Sequence, residues 1–194
     1  MKVPQPITLE GRIARLEPLA HHHAPGLLEN ADPEIYRYHT PPPDYSIAGF
    51  EQYIDNVNAL ENWLPFAIVL KESGAAIGVT CYLDIRVPHH GLEIGFTWLG
   101  FAHQGTKVNP ECKYLLLRHA FDDLGAMRVQ LKTDLRNVQS QRAIEKLGAQ
   151  REGVHRKHMI IWDGSIRHTV MYAITDEDWP AVRAGLEARL GYAP

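Results

Sequence analysis

The most constraining feature of this sequence is a strand, a long helix and a second strand joined by short connections. Residues 92–99 alternate in polarity, residues 110–124 carry apolar side chains at helical spacing, and residues 127–134 alternate again. Gly125 follows the helix, as is typical of a helix end. Because a strand–helix–strand unit closes by a crossover, the two strands are predicted to be parallel neighbours in one sheet.

The connection that enters the long helix predicts an anion-binding turn. Gly105 allows the backbone to approach a ligand closely, and Pro110 suits the first turn of a helix. A helix start leaves about four N–H groups unpaired and its dipole attracts negative charge, so a pyrophosphate is a suitable occupant. Lys107 adds a cation beside the turn. An ordinary strand-to-helix connection with a normal cap is the alternative interpretation.

The whole chain, residues 1–194, is predicted to form one α+β domain with a mixed, mostly antiparallel twisted sheet of about seven strands and flanking helices. Short turns favour an antiparallel meander on one side of the parallel pair. The predicted strands or hairpins are 7–18, 65–72, 76–87, 92–99, 127–134, 152–161 and 166–174. The predicted helices are 21–31, a helix from Ser46 to near Trp63, 110–124, a helix between Asn137 and Gly148, and 177–190 with a cap at Thr175.

Alternation divides residues 92–99 into an apolar face and a mixed face. The predicted apolar face comprises Leu92, Ile94, Phe96 and Trp98. Glu93 lies on the other face of a strand that leads into the Gly105 turn. It is therefore either an exposed strand residue or an acid/base group that faces a cleft.

The composition excludes several classes of function. The net charge of −3 gives no reason to expect nucleic acid as a partner, and the chain lacks an apolar run that would predict a membrane span. Two cysteines form no disulfide framework, and no apolar signal core begins the chain, so a cytoplasmic protein is expected. The run His21-His22-His23 is not expected to bind a metal, because adjacent helical positions point in different directions.

The loop at residues 32–46 contains three prolines and several aromatic residues. Tyr36 and Tyr38 either line a substrate pocket or pack the loop onto the body of the protein. Together with Trp63 they are the candidate substrate-binding residues, and they favour a closed aromatic pocket for a small amine.

The order of elements and three motifs resemble the GCN5-related N-acetyltransferases, and most closely their ribosomal-protein alanine N-acetyltransferase branch. The motifs are Gln104-Gly105-Thr106 after a strand, Asn137-Val138-Gln139-Ser140 with Lys146-Leu147-Gly148, and Arg151-Glu152-Gly153. The resemblance implies acetyl-coenzyme A as donor and an amine acceptor, either a protein N-terminal α-amine or a small molecule. No metal is expected. The resemblance also implies a splayed parallel pair with the thioester in the gap.

The same resemblance implies which residues bind the donor. The backbone of Thr97, Trp98 and Leu99 would pair with the pantetheine arm, and Asn137 and Ser140 would contact its thioester end. The pyrophosphate would bind the amides of Gln104, Gly105, Thr106, Lys107, Val108 and Asn109.

Three departures from the family pattern concern the site. Lys107 occupies the place of a second glycine in the turn, Ile144 replaces a tyrosine that acts as general acid, and His168 follows Arg167 where relatives carry aspartate. Ser140 is then the predicted acid for the leaving thiolate. Lys107 also supports an alternative, a coenzyme A-binding or interaction module without catalysis.

A base must deprotonate the amine before it attacks the thioester. Glu93 is the first candidate, directly or through water, and His158 is the second. Exposed edges of the sheet are compatible with a homodimer.

Overall fold

The computed structural model describes residues 1–38 and 40–192, which contain eight strands and five α-helices. The strands are β1 (Leu9–Glu10), β2 (Ala14–Pro18), β3 (Leu64–Leu70), β4 (Ala76–Arg86), β5 (Gly91–Leu99), β6 (Arg128–Asp134), β7 (Gln150–Ile160) and β8 (Ile166–Thr175). The helices are α1 (Ala24–Asn30), α2 (Ile47–Asn58), α3 (Val108–Arg118), α4 (Val138–Glu145) and α5 (Trp179–Leu190). His39, in the aromatic loop, lies outside the described residues. Within them, no helix is both long enough and apolar enough to cross a bilayer.

All eight strands form one sheet in the order β1-β2-β3-β4-β5-β6-β8-β7. Every neighbouring pair is antiparallel except β5 and β6, which are parallel. This arrangement confirms the predicted α+β class, the antiparallel meander and the parallel central pair. The count of eight strands arises because residues 7–18 form a hairpin of two short strands.

The parallel pair is joined over only a short length. Gly91–Glu93 of β5 pairs with Arg128–Gln130 of β6, and no pairing follows beyond these residues. β5 nevertheless stays paired with β4 as far as Leu99, and β6 stays paired with β8 as far as Asp134. The two strands therefore part and leave a gap in the middle of the sheet, at their carboxyl ends.

Two apolar cores hold the sheet from its two faces. One core includes α3 and α5 and contains buried Leu92, Leu117 and Val129. The other includes α1 and α2 and contains buried Phe50 and Val79. Each fully buried side chain of this size contributes about 1.5–3 kcal/mol, so the strands on both sides of the gap are firmly anchored.

A β-bulge interrupts β5 at Phe96. The φ angle of Phe96 is 51°, and the register with β4 shifts at this point. Leu92 and Ile94 consequently pack in the core with α3, whereas Phe96 and Trp98 pack in the core with α2. The prediction that these four residues share a face was wrong, because the extra residue of a bulge reverses the alternation.

Helix α3 differs at both ends from the predicted 110–124. It begins two residues earlier, at Val108, and after Arg118 it continues as a π-helical turn, His119–Asp123. The buried Glu111 carboxylate accepts hydrogen bonds from the backbone amides of residues 12–14 at 2.7–3.1 Å. This contact attaches the β1–β2 hairpin to the helix.

The predicted helix caps at Ser46 and Asn137 are confirmed. Ser46 Oγ accepts from the Gly49 amide, and Asn137 Oδ1 accepts from the Ser140 amide, both at 3.0 Å. Asp178 likewise accepts from the amide and hydroxyl of Thr175 ahead of α5.

The predicted helix at 21–31 begins as a 3₁₀ turn, His21–His23, before α1. His21 points away and contacts Asp55 at 2.7 Å. The expectation that adjacent histidines diverge is therefore right for His21. It is wrong for His22 and His23, because the tighter turn brings both imidazoles to Glu17 on β2.

Candidate active site

The gap between β5 and β6 is accessible from outside the sheet. Most of β5 is buried, but Gly95, Phe96 and Thr97 regain partial exposure at the point where β6 has departed. A central strand of an eight-stranded sheet would ordinarily be buried on both sides. The exposure therefore marks an opening in the sheet beside β5.

Beyond β5, residues 104–107 form the turn that precedes α3. Gly105 adopts a φ of 73°, which favours glycine, and nothing lies within 4 Å of the position a Cβ would take. Within the described chain, the amides of Gly105, Thr106, Lys107 and Asn109 donate to no protein acceptor. The predicted anion-binding turn thus has free donors, an open approach and the positive end of a helix dipole.

Lys107 and Val108 contribute differently from the other turn residues. The Lys107 ammonium donates to the carbonyl of Leu190 at the end of α5, at 3.4 Å. The Val108 side chain is buried and its amide donates to Thr106 Oγ1 at 3.3 Å. In this conformation the Lys107 ammonium is directed to α5, and the Val108 amide is occupied within the turn.

The start of α4 lies across the gap from this turn. Gln139 Nε2 donates to Gln104 Oε1 at 3.0 Å, so the helix start that carries Asn137 and Ser140 is connected to the start of α3. Ser140 is half-buried beside the cap. Both predicted coenzyme-binding segments therefore border one opening, and Gln139 is a bridging residue that the sequence analysis did not identify.

On β5, Trp98 and Leu99 are buried. Trp98 Nε1 donates to Tyr53 Oη at 3.1 Å, and the Leu99 carbonyl accepts from Gln104 Nε2 at 3.0 Å. These contacts fix the end of β5 against α2 and the turn.

Glu93 lies at the last paired position before the strands part. Its side chain is 1% exposed, accepts from Gln130 Nε2 at 2.8 Å and forms an ion pair with Lys132 at 3.0 Å. Of the two interpretations of Glu93, exposure on the strand surface is thus wrong. The carboxylate is buried at the base of the gap.

His158 on β7 is exposed and lies within the electrostatic reach of Glu93 and Lys132. Its Nδ1 shares a hydrogen bond with Thr169 Oγ1 at 2.9 Å. Partial burial, followed by the charges of His155, Lys132 and Arg167, lowers the pKa of His158, while Glu93 raises it. The imidazole is therefore neutral at pH 7 and able to accept a proton.

Lys113 on α3 is a further polar group near the gap that the sequence analysis missed. Its side chain is 6% exposed, and the ammonium donates to Thr97 Oγ1 at 2.7 Å and to Thr80 Oγ1 at 3.3 Å. Burial lowers its pKa to about 8. The available signal was spacing, because Lys113 lies four residues before Leu117 and so belongs to the inward face of the helix.

The three candidate substrate-binding aromatics lie in different environments. Tyr36 is buried against Trp98, with ring centroids 5.8 Å apart, and Trp63 packs edge-on against Phe96 at 5.1 Å. Tyr38 is half-buried beneath the guanidinium of Arg136. Tyr36 therefore packs the loop onto the protein, while Trp63 borders the bulge.

Comparisons with known proteins match this geometry. The family model described as the acetyltransferase (GNAT) domain matches residues 14–150. A solved candidate acetyltransferase from T. thermophilus is 41% identical, with a TM-score of 0.90, over 97% of this chain and 99% of its own. A GCN5-related N-acetyltransferase from Brucella melitensis is 29% identical, with a TM-score of 0.91, over 98% of this chain and 87% of its own.

Among curated relatives, the uncharacterized N-acetyltransferase p20 of Bacillus licheniformis is 29% identical over 66% of this chain and 73% of its own length. The ribosomal-protein-S5-alanine acetyltransferase from Vibrio fischeri is more distant. It is 18% identical, with a TM-score of 0.71, over 89% of this chain and 98% of its own, which is a likeness of fold alone.

Proposed function

Because the chain belongs to the GNAT acetyltransferase family, we propose that it transfers the acetyl group of acetyl-coenzyme A to a primary amine. The observation that carries the proposal is the gap between β5 and β6, which opens beside a helix start with free amides. An extended thioester with a pyrophosphate at its other end has the shape and charge for this opening.

The residues along the opening fit the parts of such a donor. The amides of Gly105, Thr106, Lys107 and Asn109 would hold the pyrophosphate, and the backbone of residues 97–99 would pair with the pantetheine arm as an added strand. Asn137 and Ser140 would contact the thioester end. When bound, acetyl-coenzyme A supplies the thioester carbonyl carbon that the amine attacks.

His158 is the group that we propose takes the proton from the attacking amine. It is exposed and has a lowered pKa, whereas Glu93 is too deeply buried to touch an acceptor in this conformation. Glu93 would act through water, or by holding Lys132 at the base of the gap. A base of this kind contributes about a hundred- to ten-thousand-fold to the rate.

Ser140 is the group that we propose returns a proton to the leaving thiolate. Its hydroxyl lies in the first turn of α4, on the same rim as Asn137. Ile144, where relatives carry a tyrosine, is buried in the core and has no proton to give. A hydroxyl one turn earlier is therefore the donor that this helix offers.

For the acceptor we favour a small primary amine over a protein N-terminal α-amine. Trp63 and Phe96 form an aromatic wall beside the opening. The α-amine remains the alternative, because the resemblance to the ribosomal-protein branch implies it.

Release of the coenzyme A thiol in the presence of acetyl-coenzyme A tests the proposal. The acceptors are a panel of small primary amines and a panel of peptides with free N-termini. Release with small amines but not with peptides supports the acceptor class that we favour. If the protein binds coenzyme A but no acceptor causes release of the thiol from acetyl-coenzyme A, the result would instead support the non-catalytic module.

Matched variants test the proton transfers. We expect Glu93→Gln and His158→Gln to lower turnover at least tenfold, with coenzyme A affinity nearly unchanged. His155→Gln is the control, since its ring lies 5.2 Å from that of His158 and its loss removes one of the charges that lower the pKa of His158 but leaves the proposed base in place. Unchanged turnover across the pH range in either test variant removes that residue from the mechanism.

A further inference from the structure

A cavity of about 300 Å³ lies on the face of the sheet that α1 and α2 cover, opposite the face that α3 covers. It is bordered by the end of β2, the 3₁₀ turn at 21–23, the start of α1 and the start of β4. Its lining includes Glu17, His22, His23 and Glu29. None of these residues belongs to β5, β6 or the turn at 104–107, so the cavity is separate from the proposed acetyl-transfer site.

Three potential metal ligands converge at this cavity. Glu17 Oε2 lies 3.0 Å from His23 Nε2 and 3.6 Å from His22 Nε2, and the three donor atoms all lie within 4.8 Å of one another. A tetrahedral zinc ion with bonds of about 2.0–2.1 Å has ligand atoms about 3.3 Å apart. The two measured distances lie on either side of that value.

Two of the three ligands are already held in place. Arg15 binds the other oxygen of Glu17, which leaves Oε2 free of the guanidinium. His23 is 4% exposed, and its Nδ1 lies 3.1 Å from both the amide and the carbonyl of Ala20. Such an outer contact fixes the ring and aims Nε2 at the shared point.

Glu17 and His23 are already joined by a hydrogen bond at the point that a cation would occupy. The amide of Ala20 donates to His23 Nδ1, which leaves the ring proton on Nε2, and Nε2 donates to Glu17 Oε2 at 3.0 Å. A zinc ion would replace the proton between Nε2 and Oε2, and the ring proton would move to Nδ1, which lies 3.1 Å from the Ala20 carbonyl. His22, at 68% exposure, can close onto the ion from solvent.

We propose that Glu17, His22 and His23 form a zinc site, with a water from the cavity as fourth ligand. Two imidazoles and one carboxylate are a ligand set that zinc uses when one position stays open. The ion would connect the end of β2 to the turn that precedes α1. Its expected effect is therefore on stability, and the proposal does not depend on acetyl transfer.

The test uses the untagged chain, stripped of metal, and a chromophoric zinc chelator as competitor. We expect one zinc ion per chain in the wild type, at micromolar affinity or tighter, and a higher melting temperature with zinc but not with magnesium. His22→Ala and Glu17→Gln should each weaken binding at least tenfold and remove the shift in melting temperature.

His21→Ala is the matched control, because it deletes an adjacent exposed imidazole that contacts Asp55 instead. It should bind zinc within twofold of the wild type. Equal zinc affinities for His21→Ala and His22→Ala would overturn the site. So would the absence of stoichiometric binding at zinc concentrations up to 100 times the expected dissociation constant. The two free cysteines are buried and so do not compete for the ion.

Discussion

Replacement of Lys113 by methionine is expected to stabilise the folded protein, although it removes two hydrogen bonds. Folding lowers the pKa of this lysine from 10.5 to about 8, because the ammonium is buried without a carboxylate partner among the described residues. At about 1.4 kcal/mol per pKa unit, keeping the charge in the fold at pH 7 costs about 3 kcal/mol. Methionine has a similar unbranched shape and carries no charge.

The lost hydrogen bonds offset part of this gain. Each bond to a threonine hydroxyl contributes roughly 1 kcal/mol, and the hydroxyls of Thr80 and Thr97 still bond to each other at 2.8 Å. We therefore expect Lys113→Met to raise the free energy of unfolding at pH 7 by about 1–2 kcal/mol. Urea denaturation of both proteins, with equal slopes required, measures the difference.

The pH dependence separates the charge from packing. Since the folded-state pKa is lower than the unfolded one, the unfolded chain binds more protons between pH 8 and 10.5, and the wild type gains stability over that range. The advantage of Lys113→Met should therefore shrink as the pH rises. The exposed Lys146→Met is the control and should change stability by less than about 0.5 kcal/mol at every pH. A loss of stability at pH 7, or a pH-independent difference, would refute the reasoning.

Four further outcomes are expected. Glu111→Ala should cost about 3 kcal/mol or more in urea denaturation, because three backbone amides lose their acceptor, and a cost below about 1 kcal/mol would show that water replaces it. Gly105→Val should weaken coenzyme A binding at least tenfold in calorimetry, since a β-branched residue strains a φ of 73° in the proposed phosphate turn; unchanged affinity would remove that turn from the binding site. Asn137→Ala should lower stability by about 0.5–2 kcal/mol through loss of the α4 cap, whereas Asn137→Ser should restore most of it. The pH profile of kcat should fall on the acid side below the usual histidine pKa of about 6.5, because the pKa of His158 is lowered, and this limb should vanish in His158→Gln.

The sequence was sufficient for those parts of the fold that follow from local pattern. The alternation in residues 127–134 and the caps at Ser46 and Asn137 depend on neighbours within a few positions, and they are found where they were predicted. The parallel pair followed from the length of the crossover alone. Local rules failed at Phe96, because a bulge depends on the partner strand.

The candidate site was predictable only in part for the same reason. Gly105 and Asn137 can be predicted from residue type, since glycine favours turns with positive φ and asparagine favours helix caps. Lys113 does not, because its burial depends on Thr80 and Thr97 from two different strands. The convergence of Glu17 with His22 and His23 similarly requires a 3₁₀ turn where an α-helix was expected.

The buried Lys113 and the bulge at Phe96 both act on the part of β5 that no longer pairs with β6. Beyond Glu93, β5 has lost β6 as a neighbour, and Phe96 stores roughly 1–3 kcal/mol in a left-handed backbone. The Lys113 ammonium holds Thr97 directly after that residue, from the side opposite Phe96. A strand edge left free for a ligand thus gains a restraint from α3, at a cost in stability that Lys113→Met should recover. If that restraint positions residues 97–99 for the pantetheine arm, the stabilised variant should also bind coenzyme A more weakly.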